Sequence, residues 1–153
     1  MPLTKKGFQI AVLYGFISGL FLALFLKVVE YFTHYKVYTL LLNVDYIPYV
    51  NTFVFPEIIE VGFHQIVSIA LAICLYILIV FRKISSRKKI IALCTFVCFI
   101  IGIALYPTTT FSDRTPEFTS IPSFSYWMIG HIIYGYILGL LLALNLTKSN
   151  TVL

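Results

Sequence analysis

Four long apolar runs separated by polar segments set the pattern of this chain. They lie at about 8–30, 60–81, 89–106 and 125–146 of the 153 residues. Each is close to the roughly 20 apolar residues that carry a helix across a bilayer. The pattern predicts an all-α membrane protein, a four-transmembrane-helix bundle forming one polytopic domain over 1–153. A longer segment, from Tyr31 to about Glu57, separates the first two helices. It is rich in Tyr and Phe, which favour the headgroup level. The apolar stretch 37–44 inside it is too short to span, so it is expected at the interface or packed over the helix ends. Pro48 and Pro56 break any long helix there. The segment YPTTTFSDRTPEFTSIPSF before the last run reads as an irregular loop, and no proline is expected inside a span.

Within each run, small or polar residues recur every four positions. The first has Gly15, Gly19, Ala23 and Lys27; the second Glu60, His64, Ser68 and Ala72. The third has Cys94, Cys98, Gly102 and Tyr106; the fourth His131, Gly135, Gly139 and Ala143. Residues four apart share a helix face, and small ones let backbones approach closely. Gly15, Gly19, Gly102, Gly135 and Gly139 are therefore expected at helix contacts. A GxxxG step in the first and fourth spans puts these two spans in direct contact. The same stripes also allow an oligomer.

Charge adds orientation. Lys5, Lys6, Arg82, Lys83, Arg87, Lys88, Lys89 and Lys148 flank one set of helix ends; Lys27, Lys36 and Arg114 are the other three basic residues. The acids and histidines gather toward the opposite ends. Short cytoplasmic loops collect Lys and Arg, so both termini and the 82–89 loop are expected in the cytoplasm. Lys5 and Lys6 precede a run too long for a cleaved signal, with no small-residue cleavage site after it, so it reads as an uncleaved span. The net charge of +5 reflects this topology and contact with the lipid bilayer. It does not indicate nucleic acid, since the basic loop has no room for groove-reading elements. Cys74, Cys94 and Cys98 all fall inside spans, which argues against a disulfide framework.

The stripes end toward the outside in ionisable groups. Such residues inside a span face the bundle or a watery cavity. The expectation is an outward-facing, protonatable polar cup lined by Lys27, Glu30, Glu57, Glu60, His64, Tyr106 and His131, with Asp113, Arg114 and Glu117 covering it from the loop. Histidine titrates between about pH 5 and 8, so His64 and His131 would change its charge. No cofactor is required. Two alternatives use the same residues: b-type haem between His64 and His131, or a divalent metal such as Zn²⁺ on Glu60, His64 and His131, with Glu57 nearby. A third is an intramembrane enzyme using His and Glu as acid and base, with Ser68 one turn from His64. A small multidrug transporter would need an acid deep in the first span, which is absent. A channel would need a continuous polar face.

The segments GFISGLFLALFLKVVE (15–30), FHQIVSIALAICLY (63–76) and SYWMIGHIIYGYILG (125–139) together resemble the YagU family of small bacterial inner-membrane proteins. The matching positions are Gly15, Gly19, Lys27 and Glu30, then His64 and Ser68, then Gly130 and His131. The resemblance implies a multi-pass protein of the bacterial inner (cell) membrane linked to acid resistance, with no reaction assigned. The chain departs from the family after the first helix, where Tyr31–Tyr38 replaces a Pro- and Trp-rich segment. The YqhR-like membrane proteins of Gram-positive bacteria share the layout.

Overall fold

The computed structural model describes residues 3–45 and 47–148. The described residues form helices joined by turns and loops, with no strand among them. The elements are α1 (Lys5–Thr33), α2 (Val37–Leu42), α3 (Glu57–Phe81), α4 (Arg87–Leu105) and α5 (Ile121–Lys148), with short 3₁₀ turns at Val50–Thr52 and Tyr106–Phe111. α1, α3, α5 and α4 with its 3₁₀ extension are each long and apolar enough to cross a membrane. Many large apolar side chains face outward from them, among them Leu24, Ile66, Phe96 and Ile103. In water that surface would be unstable; in lipid it is the expected exterior.

The helix boundaries follow local chemistry. The Thr4 hydroxyl accepts from the Gly7 N–H at 3.0 Å and caps α1. At the other end His34 takes a left-handed conformation (φ 62°), and its N–H donates back to Glu30 O. Such a turn ends a helix and is usually made by glycine. α4 tightens into the 3₁₀ turn at Tyr106–Phe111, where Pro107 removes a donor. α5 begins one turn earlier than its apolar run, at Ile121, so Pro122 lies inside the apolar helix. The expectation of proline-free spans fails here for a simple reason. A first-turn proline has no intrahelical partner to lose.

The glycine stripes sort the helices into two close pairs. A Cβ on Gly15 would sit 2.8 Å from Ala72 Cβ, and one on Gly19 would sit 2.7 Å from Ser68 Cβ. This is the α1–α3 pair. A Cβ on Gly135 would sit 2.8 Å from Cys94 O and Thr95 Cα, and one on Gly139 would sit 2.8 Å from Ile91 Cα. With Gly102 against His131, this is the α4–α5 pair. α1 and α5 do touch, as the sequence suggests, but the two GxxxG steps each face a different partner. The α1–α5 seam uses Gly130, which packs on Leu22, Leu26 and Phe25. The result is α3–α1–α5–α4 in contact order, while α3 and α4, adjacent in the chain, scarcely meet.

α2 lies across one end of the bundle, against α1 and α3, with Val37, Leu40 and Leu42 buried. With segments 43–45 and 47–56 and the 106–120 loop it forms a lid. The opposite end carries the Arg82–Lys89 basic cluster and is called the basic end below.

Candidate functional site

The gap between α3 and α4 is a cavity of about 260 Å³ beneath the lid. Leu22 of α1 lines its back; α3 contributes Glu60, His64, Val67, Ser68 and Leu71, and α4 contributes Cys98, Ile101 and Leu105. α5 adds Trp127, His131 and Tyr134. The chain from Leu40 to Val44 forms the roof. Most of this lining is apolar, with a few polar groups at the lid side, the usual composition of a small-molecule site.

Each polar group has a definite setting. His131 is 5% exposed. Its Nδ1 donates to Trp127 O at 3.0 Å, and its ring lies 4.3 Å from the indole centroid. Trp127 Nε1 in turn donates to Gly102 O at 2.8 Å, tying α5 to α4. His64, half-buried, donates from Nε2 to Gly19 O at 3.1 Å. Ser68 donates to Gly15 O at 2.8 Å and accepts from the Tyr134 hydroxyl at 2.9 Å, which bridges α3 to α5 at the cavity floor. Glu60 is buried, and its carboxylate is held by both terminal nitrogens of Arg114 at 3.1 Å. That hydrogen-bonded carboxylate pushes the Arg114 guanidinium further up from its ordinary value. A second lid contact joins the loops: the Ser112 hydroxyl donates to Asp45, and Arg114 N donates to Ser112 Oγ at 3.2 Å.

The seven residues read as one cup separate into distinct groups. Glu60, His64 and His131 line the cavity together. Lys27 and Glu57 form an ion pair at 2.6 Å on the surface, each side chain about half exposed (54% and 55%); such pairs contribute about 0–1 kcal/mol. Tyr38 joins them, donating its hydroxyl to Glu57 at 2.7 Å with Lys27 over its ring. Burial, then the Glu57 hydrogen bond, push the Tyr38 phenol well up from its ordinary value. Glu30 does a structural task. Lys36 at the start of α2 offers no capping side chain, and Glu30 supplies the acceptor from α1, taking the Tyr38 and Thr39 N–H groups at 2.7 and 2.9 Å. Tyr106 points elsewhere: its hydroxyl donates to Ser120 O, and its ring packs on Phe118 and Phe124. One cup therefore overstates the arrangement. Four-residue stripes drift around a helix, so their ends face different neighbours. Of the three loop residues expected over the cup, Arg114 reaches it through Glu60.

No group of three or more His, Cys, Asp or Glu side chains suited to a metal occurs among the described residues. Glu60 is taken by Arg114, and each histidine has one nitrogen committed to a carbonyl. Asn43 is the residue that sequence reasoning missed. It is 3% exposed and lines the cavity, and its side-chain nitrogen has no partner among the described residues. In the sequence it is one polar position at the end of an apolar stretch, with no signal to set it apart from a turn residue. No family model, curated protein or solved structure matches this chain.

Proposed function

We propose that this is a non-enzymatic, multi-pass membrane protein that holds an amphipathic molecule from the bilayer in the cleft between α3 and α4. The observation that carries the reading is the cleft itself. Two helices consecutive in the chain stand apart over a largely apolar cavity whose uncommitted polar atoms lie toward the lid, the Ser68 and Tyr134 hydroxyls at its floor being bonded to each other. Ile66 and Val67, on the α3 side, are 65% and 57% exposed, so the cavity's flank meets lipid. A head beneath the lid and a tail toward the bilayer fit that polarity. The lid end is taken to face outward and the basic end the cytoplasm, by the positive-inside rule.

Catalysis is disfavoured by the hydrogen bonds. The Ser68 hydroxyl is spent on Gly15 O and Tyr134, and Glu60 is spent on Arg114, so neither a free hydroxyl nor a free carboxylate accompanies the histidines among the described residues. A proton-sensing cup would need ready access from outside, whereas His131 lies under the lid at 5% exposure. Burial therefore favours the ligand reading over acid sensing, although the YagU resemblance keeps an envelope role in view. The test is lipid analysis of protein purified in mild detergent. Wild type should carry one amphiphile in near-stoichiometric amount. Ile101→Phe, which fills the cleft, should lose it while keeping its helical spectrum. Equal lipid content in the two proteins would sink the proposal.

A further inference from the structure

The cleft's polar wall has a hydrogen-bonding capacity that selects a head group. Asn43 Oδ1 accepts from the Asp45 N–H at 3.1 Å, but Nδ2 has no partner among the described residues. An amide nitrogen only donates, so the wall keeps one open donor. The histidines supply the complement. A carbonyl only accepts, so the nitrogens facing Gly19 O and Trp127 O carry the hydrogens. In the neutral rings, His64 Nδ1 and His131 Nε2 are then acceptors, without a partner among the described residues.

Charge narrows the choice. Among the described residues no lysine or arginine lines the cavity, and the one acid that does, Glu60, is already met by Arg114. A phosphate would place a second negative charge beside Glu60 in an apolar site, at high cost. A head with carbonyls alone would answer Asn43 and leave both histidines unanswered. A hydroxyl both donates and accepts. Size narrows it further. At about 30 Å³ per water-sized group, 260 Å³ holds roughly nine such groups. That suits a glycerol-sized head and its first methylenes, with the chains leaving toward the bilayer between α3 and α4.

Resting on the reading of the cleft as a ligand site, we infer that its ligand is a neutral, hydroxyl-headed glyceride of the diacylglycerol type. Its hydroxyl accepts from Asn43 Nδ2 and donates to an imidazole nitrogen of His131 or His64.

Trp127 makes the test direct. It is the chain's one tryptophan, 2% exposed, and it lines the cavity. Full-length protein in phosphatidylcholine nanodiscs would be titrated with diacylglycerol brominated on its acyl chains, and separately with phosphatidylglycerol carrying the same chains. Bromine quenches indole only at close range, so a cleft ligand quenches and surrounding lipid barely does. The expected result is saturable quenching by the diacylglycerol and none above the brominated-phosphatidylcholine level by the phosphatidylglycerol. Asn43→Leu should weaken the diacylglycerol effect about tenfold, the worth of one buried hydrogen bond. If that variant fails to fold, His64→Phe combined with His131→Phe carries the same expectation. Equal quenching by both lipids would overturn the neutral head, unchanged affinity in the folded variant would overturn the hydroxyl contact, and either result would leave the cleft standing. Absence of quenching by either lipid would overturn the cleft reading as well.

Discussion

Gly135 and Gly62 form a matched pair that tests whether close backbone approach holds this bundle together. Both lie inside helices, and alanine is the better helix former at either by at most about 1 kcal/mol. Their surroundings are opposite. A Cβ at Gly62 meets nothing within 4 Å, whereas one at Gly135 meets Cys94 O, Cys98 Cβ and Thr95 Cα, each at 2.8 Å. Two of those three atoms are backbone and cannot rotate away. Ordinary contact starts near 3.4 Å, so α4 must withdraw by about 0.6 Å along this seam. A gap of that size forfeits a quarter or more of the dispersion energy of the atom pairs involved. In lipid, packing is the main force between helices, because the tails are as apolar as the side chains. Overpacking of this kind costs about 1–3 kcal/mol. Gly135→Ala should therefore destabilise by roughly 1–2 kcal/mol after the propensity gain, and Gly62→Ala should be neutral or slightly stabilising. The assay is unfolding in mixed micelles followed by Trp127 fluorescence. Trp127 bonds to Gly102 O across the same seam, so it reports separation of α4 from α5. Equal stability of the two alanine variants would refute the reasoning.

Other expectations concern the lid and the topology. Arg114→Ala should destabilise by roughly 3–5 kcal/mol, since it strands a buried carboxylate, and adding Glu60→Gln should recover much of the loss in a double-mutant cycle. Glu30→Ala should cost about 1 kcal/mol by uncapping α2 and speed hydrogen exchange at the Tyr38 and Thr39 amides first. The raised Tyr38 phenol favours the docked lid fully below the ordinary tyrosine pKa near 10. Its contribution should fade as pH climbs above that value, and Tyr38→Phe should remove this alkaline sensitivity in exchange measurements on α2. Reporter fusions at Ser86 and Lys148 should both report the cytoplasm; an external signal at either would invert the proposed orientation.

Four spans were legible because apolar length and basic loops are strong, local signals. The five packing glycines were legible as contact residues, since spacing alone places them on one face. Their partners were not. A GxxxG step says that a backbone approaches, not which one, so Gly15 and Gly19 proved to face α3 and not α5. The lid was the least readable part. Arg114 meets Glu60 across 54 residues, and Glu30 caps a helix from a neighbouring element; neither has a periodic signature. Asn43 was hidden for the same reason, since its importance comes from burial without a partner, which only the packed fold reveals.

The most direct test is an experimental structure of the protein in a lipid nanodisc. The expected map shows α3 and α4 apart, with elongated density entering between Val67 and Ile101 and ending beside Asn43 and His131. A map with α3 packed against α4 and Val67 in contact with Ile101 would contradict the cleft and every functional reading built on it.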